Sequence, residues 1–336
     1  MLLRNVPLKG FNTFGMQYCA DYMLHIKSEA EIMQFIDSDL IKIKPLLILG
    51  GGSNLLFTGD FHGIVIHPDI QGIFVEEEYS DHVIVSAGAG VNWDKFVEWA
   101  VNRNLRGIEN LSYIPGTVGA TPVQNIGAYG EEIKDYIAGV RSISLENGSV
   151  RNFSNSECRF GYRDSIFKNE LKGKFLITRV LFNLSKDRKY NLNYGTLKQE
   201  VEQSGEISLK SIRETVIKIR KEKLPDPDIR GNAGSFFKNP VVVREAAELL
   251  KKEFPDLPVY PNESGMAKVS AAWLIEKCGW KGKRVGDAGV YEKQALIIVN
   301  YGKATGTEIL ELSERIRESV RLKFGIMLER EVEVIG

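Results

Sequence analysis

Leu224-Pro225-Asp226-Pro227-Asp228 sets two prolines one residue apart directly after a helical pattern, and no regular element can run through it. Proline removes a backbone donor and fixes φ, and it also pushes its predecessor out of the α region, so the segment reads as an extended link. A domain boundary is expected there. Before it, short β-branched and aliphatic runs at Leu46 to Leu49, Gly63 to Ile66, Val83 to Ser86, Val140 to Leu145 and Phe175 to Leu184 alternate with glycine clusters and predict strands. Asn147-Gly148 between two such runs predicts a hairpin. Helices are expected at Trp93 to Asn102, where Phe96, Val97, Ala100 and Val101 form an apolar face, and near Ser211 to Lys223. The first two thirds is therefore α+β, with more strand than helix. Beyond the break, Val241 to Phe254, Ser270 to Cys278 and Glu308 to Phe324 read as helices, the second with Ser270 as N-cap and Gly279 just past its end. Met327 to Ile335 reads as a closing strand with Glu329, Glu331 and Glu333 on one face, a pattern that usually marks a solvated edge.

A chain of 336 residues carries about two to three compact units. Forty-four basic and 44 acidic residues give zero formal charge, so no global field attracts nucleic acid or an anionic membrane. The N-terminus lacks the charged start and apolar run of a signal peptide, and no segment reaches the length of a membrane span, so a cytoplasmic protein is expected. Cys19, Cys158 and Cys278 are far apart and without C-x-x-C spacing, which predicts buried free thiols. His25, His62, His67 and His82 form no ligand pattern, and no metal site is expected.

Leu49-Gly50-Gly51-Gly52-Ser53-Asn54-Leu55-Leu56 follows a predicted strand, where bare backbone amides can cradle phosphate. It is not a Rossmann fingerprint. Counting G-x-G-x-x-G from Gly50 puts Leu55 at the third glycine, and counting from Gly88 puts Trp93 there. No G-K-[ST] triplet closes a glycine-rich stretch, which removes Walker-type phosphoryl transfer. A second loop, Ile114 to Gly130, holds four glycines, several uncharged hydrogen-bonding side chains and no charge. A neutral, donor-rich loop suits the pyrophosphate and ring edge of a flavin, whereas a surface loop ordinarily carries Lys, Glu or Asp.

Arg230-Gly231-Asn232-Ala233-Gly234-Ser235-Phe236-Phe237-Lys238-Asn239-Pro240 sets one hydroxyl among small residues and follows it with two phenylalanines. Taken alone, it reads first as a tight turn entering a core strand and only second as a loop presenting a reactive serine.

Together, Leu49 to Phe57, Ile114 to Gly130, Phe160-Gly161-Tyr162-Arg163-Asp164-Ser165-Ile166-Phe167, Leu224 to Pro240 and Leu328-Glu329-Arg330-Glu331-Val332 closely resemble the UDP-N-acetylenolpyruvoylglucosamine reductase family over essentially the whole chain. The resemblance implies an α+β fold: a flavin-binding two-part α+β region of the vanillyl-alcohol-oxidase (PCMH) type over 1–224, dividing near residue 67, then a smaller α+β substrate-binding domain over 225–326. A C-terminal strand over 327–336 would carry a catalytic glutamate. The implied cofactors are FAD and NADPH, and the implied substrate is UDP-N-acetylglucosamine enolpyruvate, reduced to UDP-N-acetylmuramate for peptidoglycan precursors. No histidine lies in the glycine loops, which suits dissociable FAD.

By the same resemblance, Gly50, Gly51, Gly52, Ser53, Asn54, Leu55, Pro115, Gly116, Gly119, Ala120, Gln124, Asn125, Gly127 and Ala128 would hold FAD. Leu192-Asn193-Tyr194-Gly195-Thr196-Leu197 resembles the substrate-covering loop of the type I members, with Tyr194 against the UDP portion. Lys223 and Asn239 would meet the diphosphate, Tyr260 and Lys268 the UDP end, and Gln294 the substrate carboxyl. Arg163, Ser235 and Glu331 match the catalytic positions. Hydride addition to the enolpyruvyl methylene builds an enolate beside the substrate carboxylate, so the site needs a cation and then a proton donor. Arg163 would hold the carboxylate through its planar fork, and Glu331 would carry a proton because an ionised carboxylate would repel the enolate. Ser235 would protonate the α carbon.

Overall fold

The computed structural model describes residues 2–261 and 265–336. Its contacts divide the chain into two units that are not contiguous in sequence: one of 1–6, 20–51 and 61–220, the other of 7–19, 52–60 and 221–336.

The first unit holds two sheets. In the four-stranded one the order is Leu2–Pro7, Cys19–Ile26, Phe61–Pro68, Leu46–Ile48. Phe61–Pro68 is parallel to both of its neighbours, and its Ile64, Val65 and Ile66 are fully buried, as a strand covered on both faces requires. Glu29–Ile36, capped by the Ser28 hydroxyl on the Glu31 amide, sends Ile32 and Phe35 into a cluster with Leu24, Ile26, Ile64 and Ile66. The five-stranded antiparallel sheet runs Val150–Ser154, Ile137–Ser144, Phe175–Ser185, His82–Gly88, Ile73–Glu78. Asn147-Gly148 makes the hairpin between the first two, with Gly148 at φ +74°. The Trp93–Val101 helix buries Trp93, Phe96, Val97, Ala100 and Val101 against this sheet's cluster, with Phe96 and Phe182 ring centroids 4.7 Å apart. Truncating a ring such as Phe96 to alanine costs about 3–5 kcal/mol.

In the second unit Gly231–Ser235, Ile297–Asn300, Ala288–Val290 and Arg284–Val285 form a four-stranded antiparallel sheet. Val241–Val243, Met266–Val269 and Val259–Pro261 form a second, three-stranded one. The Gly306–Phe324 helix opens with a reciprocal capping box between Thr305 and Glu308, ends at Gly325 with φ +68°, and buries Ile309, Leu312, Ile316 and Val320. Ala271–Lys277 is capped by the Ser270 hydroxyl, as its sequence predicts.

Three expectations change. Val241 to Val243 are not helical: three consecutive β-branched residues find an open edge beside Met266–Val269 and pair there, and the helix begins at Arg244. The closing strand is only Glu333–Ile335, paired in parallel with Leu55–Phe57, while 327–332 is irregular and meets Phe237 through a single bridge at Arg330. The alternating carboxylates therefore do not share a strand face. All three cysteines are free thiols, yet only Cys158 is buried, with Cys19 and Cys278 partly exposed.

Candidate active site

In the first unit the two glycine loops meet. A Cβ on Gly51 would stand 2.7 Å from the Gly116 Cα, and one on Gly50 would stand 2.9 Å from the Thr117 hydroxyl, so only glycine allows this approach. Among the described residues nothing accepts from the backbone amides of Gly50, Gly51 and Gly116. Uncommitted amides beside a charge-free loop are what the diphosphate of a dinucleotide requires, so these residues fit FAD. Further along the second loop, buried Asn125, at φ +45°, donates to the Glu132 carboxylate and the Gly161 carbonyl and accepts from the Lys134 amide. Arg163, at φ +55°, donates from Nη2 to the Gly127 carbonyl at 2.6 Å and from Nη1 to the Asn125 carbonyl at 3.3 Å. Arg163 is thus seated on the end of the second glycine loop. Tyr194 is half exposed and its ring lies edge-on to Tyr129, 5.8 Å between centroids.

One cation of this unit escaped the sequence reading. Arg220 donates from Nε to the Tyr113 carbonyl at 3.1 Å, and burial pushes its pKa below the ordinary arginine value. Arg213, one heptad earlier, grips both oxygens of Asp94 at 2.6 and 2.8 Å. Burial alone would raise the Asp94 carboxyl, but the Arg213 bond, the Tyr113 amide and the nearby Arg220 hold it below its usual range. A signal existed: Ile212, Arg213, Val216, Ile219 and Arg220 share one helical stripe, and two arginines inside an apolar stripe demand partners.

In the second unit the serine loop is the edge strand Gly231–Ser235. Gly231 packs so close to Phe14 that a Cβ would meet its carbonyl oxygen at 2.1 Å. Asn232 is bound by the Thr13 hydroxyl and carbonyl, and its own amide donates to the Pro225 and Arg230 carbonyls. The register with Ile297–Asn300 then slips between Asn232 and Ser235, with Gly234 at φ +69°, so a bulge re-aims Ser235. Phe236 and Phe237 are fully buried core residues. The Glu331 amide donates to the Phe236 carbonyl at 2.9 Å, and Asn54 Nδ2 donates to the Glu331 carbonyl at 3.1 Å. Gln294 lies in the turn before Ile297–Asn300, where its carbonyl accepts from the Ile297 amide at 3.1 Å, and Ile297 pairs with Ser235. The structure thereby gathers Ser235, Glu331, Asn54 and Gln294. Asn239 Oδ1 accepts from the Ala271 amide at 3.0 Å at a helix start. Tyr260 and Lys268 are register partners in the three-stranded sheet, and Lys223 is exposed at the end of the Leu209–Lys223 helix.

Residues 20–154 match the family model described as FAD binding domain, a span holding both glycine loops. Residues 226–335 match that of the UDP-N-acetylenolpyruvoylglucosamine reductase C-terminal domain, a span holding Ser235 and Glu331. Over 332 residues the chain is 46% identical to the UDP-N-acetylenolpyruvoylglucosamine reductase of Pseudomonas aeruginosa, covering 98% of both chains. The chain belongs to the UDP-N-acetylenolpyruvoylglucosamine reductase family. The family's protein of that name from Bacteroides fragilis is 47% identical over 328 residues, again covering 98% of each. The crystal structure of UDP-N-acetylenolpyruvylglucosamine reductase from Thermus caldophilus superposes with a TM-score of 0.69 at 25% identity, covering 100% of this chain and 98% of that one. Arg163, Tyr194 and Lys223 fall between the two matched segments and enter the family likeness through whole-chain identity.

Proposed function

We infer that this chain is a flavin-dependent oxidoreductase that reduces UDP-N-acetylglucosamine enolpyruvate to UDP-N-acetylmuramate with NADPH, a step of peptidoglycan precursor synthesis. FAD, when bound, carries two electrons from NADPH to the substrate double bond. The residues around Gly50, Gly51, Gly52, Ser53, Asn54 and Leu55, and from Pro115 through Gly116, Gly119, Ala120, Gln124, Asn125 and Gly127 to Ala128, hold it by backbone amides and neutral side chains. Residues 1–224 thereby serve the flavin and 225–326 the substrate, with 327–336 supplying the acid.

Arg163 clamps the substrate carboxylate and stays charged as negative charge builds on the adjacent α carbon. Glu331, carrying a proton, stabilises the same charge without repelling it. Ser235 Oγ gives its proton to the α carbon, which converts the double bond to the lactyl side chain of the product. Tyr194, Lys223, Asn239, Tyr260 and Lys268 bind the UDP portion and Gln294 the carboxyl end. Its partners in this reading are small molecules met in the cytoplasm, the enolpyruvyl UDP-sugar and NADPH; separately, basic and acidic residues are equal in number, and no described helix is long and apolar enough to cross a membrane.

The observation that carries this reading is the bulged strand end that aims Ser235 one residue from the carbonyl bound by the Glu331 amide. Under anaerobic rapid mixing, Ser235→Ala lets NADPH bleach the flavin at the wild-type rate, while enolpyruvyl substrate restores its colour about a hundredfold more slowly. Wild-type rates in both steps would remove Ser235 from the chemistry.

A further inference from the structure

We propose that Asn110 is a positioning residue for Tyr194, clasping the substrate-covering loop to the end of the second glycine loop; this rests on the reading that Tyr194 meets the UDP portion. Asn110 is 1% exposed, and its side-chain amide donates twice, to the Tyr129 carbonyl at 3.0 Å and to the Asn191 carbonyl at 2.7 Å. Asn191 answers from the other side: its Nδ2 donates to the Gly130 carbonyl at 3.2 Å, and its Oδ1 accepts from the Asn193 amide at 3.3 Å. Gly130, at φ +82°, leaves room for the approach, since a Cβ there would stand 3.3 Å from Asn191 Nδ2 and 3.7 Å from the Tyr194 Cβ. Two backbone segments, 129–130 and 191–194, are thus tied by two amide side chains and by the edge-on Tyr129–Tyr194 ring pair.

Magnitudes assign the main role to the amide. An exposed edge-on ring contact is weaker than the penalty for stranding two half-buried carbonyls that have lost their donor. Residues 193–196 are exposed, while Leu192 and Leu197 on either side pack into the apolar cluster with Val201 and Ile212, so the base of the loop governs where the Tyr194 ring stands. Asn110 reaches no substrate in this account; it acts through the backbone of Asn191.

The test uses the FAD-loaded enzyme. Asn110→Asp keeps the shape but turns a double donor into an acceptor facing two carbonyls. It raises KM for the enolpyruvyl substrate about tenfold with kcat and NADPH-driven bleaching nearly unchanged, the signature of lost binding shared by ground and transition states. Asn191→Ala, at the surface, raises KM in the same direction and decides the matter should Asn110→Asp fail to fold. Combined with Tyr194→Ala, neither variant raises KM further. If Tyr194→Ala raises KM while both asparagine variants leave it alone, or if the effects multiply, the clasp is wrong and the substrate reading of Tyr194 stands. If Tyr194→Ala itself leaves KM unchanged, that substrate reading fails and the clasp proposal falls with it.

Discussion

Asn54 grips the backbone around Glu331 from both of its ends: its side-chain amide donates to the Glu331 carbonyl at 3.1 Å, and its own carbonyl accepts from the Glu333 amide at 3.1 Å. A residue of the first glycine loop therefore sets the path of the chain that carries the proposed acid. Asn54→Ala keeps the backbone bond and loses the side-chain one, which leaves the Glu331 carbonyl without that donor at a cost of about 1–3 kcal/mol. Flavin reduction by NADPH is expected to persist and reoxidation by substrate to slow. A variant that loses FAD yet turns over at the wild-type rate once flavin is supplied would show that Asn54 serves the cofactor alone.

Flavin retention tests the glycine contact. Gly51→Ala places a Cβ 2.7 Å from the Gly116 Cα, and backbone against backbone cannot yield as a flexible side chain does. The purified variant is expected to be colourless, with a flavin-to-protein absorbance ratio near zero. Gly59→Ala, where a Cβ meets nothing within 4 Å, should remain yellow. Equal flavin content in the two would sink the cradle.

Much of this was legible in the chain because glycine and proline act locally. The Pro225 break and the Asn147-Gly148 hairpin follow from the backbone limits of single residues, and the helix start at Ser270 follows from a hydroxyl that caps its own neighbours. What was not legible depends on distant partners. Val241 to Val243 runs directly into a helix, and only the edge of Met266–Val269 makes it a strand. The assignment of 7–19 and 52–60 to the second unit rests on contacts such as Thr13 with Asn232 and Gly306 against Phe57, separated by hundreds of residues. Asn110 and Arg220 carry no motif; their importance lies in which carbonyls they reach.

Arg163 can be displaced without being changed. Gly127 needs no unusual φ, but a Cβ on it would stand 2.8 Å from Arg163 Nη1 and 2.9 Å from the Glu131 carbonyl, and of these only the guanidinium can move. Gly127→Ala is expected to reproduce in kind, and less severely, the loss in substrate-driven flavin reoxidation of Arg163→Met, about a hundredfold for the latter. Bleaching by NADPH should be spared in both. An unchanged reoxidation rate in Gly127→Ala would mean that the Gly127 seat does not matter to Arg163.

Stability should carry a titration that has nothing to do with catalysis. Glu109 is 4% exposed, and burial pushes its carboxyl above the ordinary glutamate value; the neighbouring Glu131 adds to the rise, while the Gly107 amide, donating to Oε2 at 2.6 Å, and Arg188 oppose it. A raised folded pKa means that the native state holds the proton longer than the unfolded chain does. Stability then falls as pH climbs from the unfolded value to the folded one, and the loss is complete above it. Glu109→Gln abolishes this titration and keeps an amide oxygen for the Gly107 N–H. The variant's Tm relative to wild type is therefore expected to rise as pH increases from the ordinary glutamate range into the range above it, and to level off once the wild-type carboxyl has ionised. Thermal unfolding followed by flavin release and by circular dichroism across that range checks it, and a Tm difference independent of pH would mean that the Glu109 carboxyl titrates alike in both states.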